Sequence, residues 1–272
     1  MSEATRSCSR CGGARFVVVE RDGRSMAVRC QCLDEWRKDA VFAATCIPER
    51  YQHCTVESFE LWKPQSQDPT LGKAKEHTEA FVRSYPDVDR GILFLGKVGT
   101  GKTHLAVAAL RAVVESRKGT GLYVNVTELI QRLQMSIDGR GPTREALLGP
   151  VVDAELLVLD ELGACRSTEW VLDQLYFVIN QRYSHRRVTL ATSNFLDTPA
   201  GRSDPAAVVR AFSQATAAGT VMAPVKSEQY FESLADRISD RLRSRLYEMC
   251  ESIELRGSDY RARERTPGGR RR

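Results

Sequence analysis

A glycine-rich segment constrains the fold of this chain more than any other feature. Residues 96–103 read GKVGTGKT, which fits the phosphate-binding pattern G-x-x-x-x-G-K-[ST] without a mismatch. The apolar run 91–95 before it predicts a buried strand, and residues 104–110 after it predict a helix. A strand, a glycine loop and a helix N-terminus in this order cradle phosphate, because backbone N–H groups turn inward at the positive end of the helix dipole.

The chemistry of such a loop assigns roles to its residues. We expect Lys102 to contact the β- and γ-phosphates of ATP and the Thr103 hydroxyl to bind Mg²⁺. A chance match in an ordinary glycine turn is the alternative, although both flanks favour the functional interpretation. The predicted nucleotide-binding residues of the loop are Gly96, Val98, Gly99, Thr100, Gly101, Lys102, Thr103 and His104.

A second apolar run ends in two acidic residues. Residues 156–159 suit a central parallel strand that is covered on both faces, so Asp160 and Glu161 fall at its C-terminal end, where open α/β sheets bind ligands. Asp160 is the candidate that holds Mg²⁺, and Glu161 is the candidate base that polarises the attacking water. A helix N-cap pair without chemistry is the alternative.

A third strand-like run, 187–192, ends in Ser193-Asn194. An amide at this position can contact the γ-phosphate or the attacking water, so Asn194 is a further catalytic candidate beside Lys102, Asp160 and Glu161. Asparagine after a strand is also an ordinary turn residue.

Composition indicates an ordinary globular protein with a basic bias. Of 272 residues, 28% are charged and 42% hydrophobic, and no apolar stretch is long enough to span a membrane. The N-terminus has no apolar core typical of a secretory signal, so we expect a cytoplasmic protein without a membrane partner. The net charge of +5, with arginines concentrated in 237–245 and in the C-terminal tail, favours a polyanionic partner, nucleic acid first. For residues 267–272 a solvated, frayed tail is the favoured interpretation.

Four cysteines near the N-terminus predict a small metal-binding module. Two pairs, Cys8/Cys11 and Cys30/Cys32, flank a predicted hairpin over 16–28 that turns at residues 21–24. Such pairs form a tetrahedral S₄ site typical of structural zinc, with unmetallated thiols or an Fe–S cluster as alternatives. The other cysteines, Cys46, Cys54, Cys165 and Cys250, are interpreted as buried small hydrophobic residues.

The alternation of apolar runs and helical segments predicts an α/β fold, a doubly wound parallel five-stranded sheet. The predicted strands are 91–95, 121–126, 156–160, 187–192 and 252–256. Helices are predicted over 33–44 and 71–84, an extended segment over 47–59, and an insertion or loop over 198–226. The predicted units are a zinc module (1–45), a linker with a leading helix (46–90), an ATPase domain (91–262) and a disordered basic tail (263–272).

Several short motifs occur in a fixed order between residues 45 and 262. They are Ile47-Pro48-Glu49-Arg50-Tyr51, the loop 96–104, Leu159-Asp160-Glu161-Leu162-Gly163, Thr192-Ser193-Asn194, the arginine-rich segment 237–250 and Gly257-Ser258-Asp259-Tyr260-Arg261. Together they resemble the DnaC/DnaI/IstB group of AAA+ ATPases. The cysteine module is similar to the N-terminal zinc-binding domain of DnaI-like loaders, which IstB-type transposition helpers usually lack.

The resemblance implies ATP-dependent loading of the hexameric replicative helicase onto single-stranded DNA during replication. It also implies self-association through the ATP site, with Arg245, or as second choice Arg241, inserted as an arginine finger into a neighbouring subunit. Arg261 matches the position that senses nucleotide in its own subunit. Few residues follow the last predicted strand, so no separate helical lid domain is expected.

Residues 127–150 are predicted to form an extra helix-loop-helix, which the resemblance makes a candidate grip on single-stranded DNA. The residues available for phosphate contact there are Arg132, Arg140, Thr143 and Arg144. The nearest alternative function is an IstB-like helper of DNA transposition. A metabolic P-loop kinase and a non-catalytic ATP-binding interaction protein also remain open.

Overall fold

The computed structural model describes residues 8–21, 24–61, 69–116, 118–197 and 233–263. The predicted insertion at 198–226 lies outside these residues, as do the centre of the hairpin turn and all but the first residue of the predicted tail.

The N-terminal region forms the predicted hairpin followed by a helix. Strands β1 (Phe16–Arg21) and β2 (Arg24–Arg29) pair antiparallel, with Val17 opposite Val28. Helix α1 (Cys32–Ala44) starts at the second cysteine of the second pair and ends at Ala44, as the sequence predicts.

The segment after α1 differs from the prediction, because it folds back instead of running extended over 47–59. Pro48 has β-region ψ and is followed by a short 3₁₀ helix (Glu49–Tyr51), in which the N–H of Tyr51 donates to the carbonyl of Pro48. A further turn follows, where the N–H of Cys54 donates to the carbonyl of Tyr51. These i→i+3 turns redirect the chain across the edge of the sheet. Helix α2 (Pro69–Ser84) follows.

The central sheet has five parallel strands, as predicted, with boundaries that shift by one or two residues. Its strands are β3 (Gly91–Gly96), β4 (Gly121–Asn125), β5 (Leu156–Asp160), β6 (Val188–Ser193) and β7 (Cys250–Leu255), in the spatial order β4-β5-β6-β3-β7. The carboxyl ends of β3, β5 and β6 therefore meet at one edge, where open α/β sheets bind ligands.

Helices cover both faces of the sheet. They are α3 (Lys102–Glu115), α4 (Val126–Ile137), α5 (Arg144–Asp153), α6 (Glu169–Ser184), α7 (Leu234–Ile238), α8 (Asp240–Met249) and α9 (Tyr260–Arg263). On one face of the sheet, α2 and α3 pack against Ile92, Phe94 and Val158. On the other face, the helices from α4 through α8 pack against Leu93 and Leu159. Side chains alternate across each strand, so both faces are apolar and the sheet is doubly wound.

A buried arginine ties α5, α6 and β6 together. Arg182 on α6 is fully buried, and its Nη1 donates to the carbonyls of Val151, Val152 and Ala154 at the C-terminal end of α5. Its Nε donates to the Thr189 hydroxyl, 2.9 Å away. Burial lowers the pKa of Arg182 to about 9, yet the guanidinium stays charged at neutral pH because it binds carbonyl groups, including those at a helix C-terminus.

We therefore expect Arg182→Met to lower the free energy of unfolding by about 3 kcal/mol, because several buried carbonyls lose their donor. Urea denaturation followed by circular dichroism measures this. The control is Arg83→Ala, which removes a largely exposed arginine whose ion pair with Glu79 spans 3.9 Å and should change stability by less than about 0.5 kcal/mol. Equal stability of Arg182→Met and wild type would contradict the prediction.

Candidate functional site

A cavity of about 420 Å³ opens at the carboxyl edge of the sheet. The glycine loop, the ends of β5 and β6, helix α9 and the segment after α1 all contribute to its wall. The lining residues are Arg50, Tyr51, His53, Cys54, Ser58, Phe59, Glu60, Val98, Gly99, Thr100, Gly101, Lys102, Thr103, His104, Glu161, Thr192, Asn194, Tyr260 and Arg261. The cations Arg50, Lys102 and Arg261 face a space that suits a polyphosphate.

Two glycines of the loop are required by close contacts. Gly101 has φ +95°, and a Cβ there would lie 2.5 Å from the ring of Phe59. Gly99 has φ +79°, and a Cβ there would lie 1.8 Å from the Asp259 carboxylate. The N–H of Tyr260 donates to the carbonyl of Gly99 at 3.0 Å. The absence of side chains thus lets the linker and α9 close on the loop.

Lys102 begins α3 and is held inside the cavity wall. Its Nζ donates to the carbonyl of Lys97 at 2.7 Å, and only 5% of the residue is exposed. The net pKa of Lys102 is lowered to about 8, chiefly by burial, which Asp160 opposes and to which the nearby Arg261 adds. A triphosphate bound at this place would raise the pKa of Lys102 again, because its negative charge stabilises the ammonium.

The carboxylate of Asp160 is fully buried at the end of β5 and accepts three hydrogen bonds from hydroxyl groups. Thr103 and Thr192 donate to Oδ1 at 2.8 and 2.7 Å, and Tyr123 donates to Oδ2 at 2.7 Å. The carboxylate and the Thr103 hydroxyl together offer the hard oxygen ligands that Mg²⁺ prefers.

Glu161 follows in a left-handed conformation, with φ +62°, which directs its side chain into the cavity. Its N–H donates to the Thr192 hydroxyl at 3.0 Å. Its Oε2 accepts from Nδ2 of Asn125 at 3.0 Å, and Oδ1 of the same asparagine caps α4 by accepting from the N–H of Glu128. Asn125 therefore connects the predicted catalytic carboxylate to the start of the helix-loop-helix.

The structure brings together most of the residues predicted from the sequence. Val98, Gly99, Thr100, Gly101, Lys102, Thr103, His104, Glu161, Asn194 and Arg261 all line the cavity. Asp160 does not line the cavity itself, but its carboxylate accepts a hydrogen bond from the hydroxyl of Thr103, which does. Gly96 does not line the cavity. A Cβ there would instead lie 2.3 Å from the carbonyl of Leu255, so this glycine permits the pairing of β3 with β7.

Arg245 does not line the cavity of its own subunit. It lies on α8, where its guanidinium carbon is 4.8 Å from the ring centre of Tyr176 and 5.4 Å from that of Tyr183. Its Nη1 is buried and has no hydrogen-bond partner among the residues that the structure describes. Arg241, the second choice, contacts the same tyrosine. Its guanidinium carbon is 4.8 Å from the ring centre of Tyr176, and its Nη2 donates to the Tyr176 hydroxyl at 3.1 Å.

Several contributors to the site were not among the predicted site residues. Tyr123, Asn125 and Thr192 hold the two acidic side chains, and Arg50, Tyr51 and Phe59 complete the cavity wall. The signal for Arg50 and Tyr51 was the Ile-Pro-Glu-Arg-Tyr motif at 47–51, which does not include Phe59. Thr192 belongs to the Thr192-Ser193-Asn194 motif, whereas Tyr123 and Asn125 lie outside the motifs.

The four N-terminal cysteines converge as the sequence predicts. The sulfur atoms of Cys8, Cys11, Cys30 and Cys32 lie within 4.8 Å of one another, with Cys8–Cys30 at 3.8 Å and Cys11–Cys32 at 3.4 Å. A tetrahedral ion with Zn–S bonds of about 2.3 Å separates its sulfurs by about 3.8 Å, so this donor set fits a zinc ion. Of the remaining cysteines, Cys54 and Cys250 are buried as expected, but Cys165 is only partly buried and Cys46 is exposed after α1.

Comparison with known proteins agrees with this geometry. The family described as IstB-like ATP binding protein matches residues 37–199, more than half of the chain. The chain belongs to this family. The resemblance predicted from the motifs is therefore confirmed, and an ATP-binding site is a property of the family.

Two curated relatives of this family member extend over most of its length. The phage-like element PBSX protein XkdC of Bacillus subtilis (strain 168) is 25% identical over 99% of this chain and 90% of its own length. The replicative helicase loader DnaC of Escherichia coli (strain K12) is 25% identical over 67% of this chain and 68% of its own length.

A solved structure supports the same fold. The crystal structure of the DnaC helicase loader superimposes with a TM-score of 0.58 at 26% identity, covering 77% of this chain and 100% of that one. The fold is therefore the predicted P-loop AAA+ fold. No helix within the described ranges is both long and apolar enough to cross a membrane.

Proposed function

We propose that this chain uses ATP hydrolysis to load the replicative helicase onto single-stranded DNA during DNA replication. The observation that carries the proposal is the cationic cavity at the carboxyl edge of the sheet, with Lys102, the Thr103–Asp160 pair and Glu161 in its wall or beneath it. The likeness to a protein named as a replicative helicase loader supports this function for the cavity. An IstB-like helper of transposition, the alternative, is less well supported. A loader of this kind acts in the cytoplasm.

In this proposal each residue of the cavity has a separate role in ATP hydrolysis. Lys102 and the loop N–H groups bind the phosphates, and Thr103 and Asp160 hold Mg²⁺, which neutralises charge on the phosphate oxygens. Glu161 accepts a proton from the attacking water, and Asn194 orients that water or the γ-phosphate. Arg261 senses the nucleotide from the same subunit.

Self-association completes this site in our proposal. Arg245 of one subunit contacts the γ-phosphate bound by its neighbour, because a guanidinium is always charged and matches phosphate oxygens. Arg245 does not line the cavity of its own subunit and is only partly buried there, which supports a role at the site of a neighbour. The proposed units are the zinc module (1–45), the linker (46–90) and the ATPase domain (91–262), followed by a basic tail.

Two further surfaces contact the partners. The cysteine module holds the helicase, and α4 with α5 contacts single-stranded DNA. In the helix-loop-helix, Arg132 and Arg140 are exposed and available for phosphate contact. Arg144 is exposed as well, and it also has contacts within its own subunit. It donates to Gln174 at 2.9 Å and its guanidinium carbon lies 4.6 Å from the ring centre of Phe177.

We expect a hexameric replicative helicase to co-purify with the tagged chain from its host and to be loaded by it onto single-stranded DNA with ATP. Loading is measured as strand separation by the helicase on DNA coated with single-strand-binding protein. Recovery of a transposase instead of a helicase would favour the alternative function.

Glu161→Gln should bind ATP but hydrolyse it at least about a hundredfold more slowly than the wild type.

The arginine finger can be tested by mixing two inactive variants. Lys102→Ala should not bind ATP, and Arg245→Ala should bind it but lose about a thousandfold in DNA-stimulated hydrolysis. Their mixture should regain activity, because some interfaces combine an intact Lys102 with an intact Arg245 of the neighbour. Arg241→Ala is the comparison variant. Normal hydrolysis by Arg245→Ala alone would exclude this residue as the finger.

The cysteine cluster should hold one zinc ion per chain, measured by mass spectrometry of the purified protein. Cys30→Ser should lose the ion, because one of four thiolate ligands is removed. Cys54→Ser is the matched control, since Cys54 is equally buried but lies outside the cluster, and it should keep the ion. Zinc well below one atom per wild-type chain would remove the proposed site.

A further inference from the structure

The side chain of Tyr123 connects edge strand β4 to the buried carboxylate of Asp160. Asn125 lies level with Asp160 in the β4–β5 pairing, and Tyr123 precedes it by two residues on the same face of the sheet. The phenol therefore reaches along the strand and donates to Oδ2 at 2.7 Å, while the two threonine hydroxyls occupy Oδ1. Tyr123 is the donor to Oδ2 in this group, and it is 5% exposed.

The same tyrosine is held by the segment that follows α1. Its backbone N–H donates to the carbonyl of Thr45 at 2.7 Å, and Thr45 is fully buried. Its ring centre lies 6.3 Å from that of Tyr51, which lines the cavity. Ile47 belongs to the same apolar core as Tyr123. Tyr123 thus contacts the linker on one side and the carboxylate on the other.

We propose that Tyr123 is a positioning residue that fixes the Asp160 carboxylate for Mg²⁺, and that the segment 45–51 sets how firmly it does so. This inference rests on the proposed nucleotide site. A carboxylate held at one oxygen only can rotate about its Cβ–Cγ bond, whereas a donor on Oδ2 fixes the plane of the carboxylate and the direction of Oδ1. Partners of this kind behind a metal ligand tune metal affinity although they do not touch the ion.

The contact with Thr45 gives this arrangement a regulatory consequence. Helix α1 joins the cysteine module to Thr45, so a displacement of α1 acts on the backbone of Tyr123 through one hydrogen bond. Weaker support for the phenol then weakens the grip of Asp160 on Mg²⁺. The metal site therefore responds to the position of the N-terminal module, which in our proposal holds the helicase.

The test measures binding and not turnover. The full chain is titrated with a fluorescent, non-hydrolysable ATP analogue in EDTA, and then with Mg²⁺ at fixed analogue. Tyr123→Phe keeps the ring and removes the donor, so the half-saturating Mg²⁺ concentration should rise about tenfold while the affinity in EDTA stays unchanged. Tyr85→Phe is the matched control, because it removes the hydroxyl of another 5% exposed tyrosine whose ring packs on Phe81, and it should change neither value.

The role of the linker is tested by a double-mutant cycle with Ile47→Ala. This variant loosens the segment and should raise the half-saturating Mg²⁺ concentration in the wild-type background. It should add no further increase in the Tyr123→Phe background, because both changes act through one hydroxyl. If Ile47→Ala does not give a cooperative thermal transition, Ile47→Val replaces it.

The outcomes separate this inference from the proposed function. Absence of analogue binding by the wild type would overturn the proposed nucleotide site itself. With a binding wild type, an unchanged Mg²⁺ dependence in Tyr123→Phe, or an equal loss of affinity with and without Mg²⁺, would overturn the positioning role. Additive effects of Ile47→Ala and Tyr123→Phe would overturn the link to the segment 45–51.

Discussion

The arrangement of the site depends on one buried carboxylate. Asp160 has no exposure to water, so its charge is tolerable because hydroxyl donors surround it and the Lys102 ammonium lies nearby. Those donors come from α3, β4 and β6, which are separate elements of the fold. A shift of any of them would leave a charge buried with an unmet acceptor. The carboxylate thereby fixes the relative positions of the glycine loop and the neighbouring strands.

The sequence predicts those parts of the site that are written locally along the chain. The glycine loop, the strand ending in Asp160-Glu161 and the spacing of the cysteines are runs of adjacent residues, and the structure places them as expected. Tyr123, Asn125 and Thr192 act across neighbouring strands, so their roles depend on the order β4-β5-β6 and on register. An apolar run reveals that a strand exists but not which strand lies beside it. The fold of the segment after α1 was not predicted for a related reason. This segment packs against edge strand β4, where the N–H of Tyr123 donates to the carbonyl of Thr45.

The arginines of α7 and α8 show why charge in a sequence does not identify its partner. Arg237 donates to the carbonyls of Gly163 and Cys165, and Arg243 forms an ion pair with Asp197. Both therefore stabilise their own subunit. Arg245 instead stacks on two tyrosine rings and keeps a buried nitrogen without a hydrogen-bond partner among the described residues. A desolvated donor without a partner is costly, and this distinguishes Arg245 from Arg237 and Arg243, whose donors are paired within the subunit.

Helix α1 and Thr45 connect the cysteine module to strand β4, which carries Tyr123. A two-stranded hairpin is marginal on its own, and this one exposes Val18 and Met26 to half or more of their surface. Metal ligation by the four cysteines would supply the stability that such a small core lacks. A module made rigid in this way can transmit a displacement through α1 to Thr45, and from there to the strand that carries Tyr123. If the module were flexible, the same displacement would be absorbed before it reached the sheet, so metal binding by the cysteines is a physical condition for the regulation that we propose.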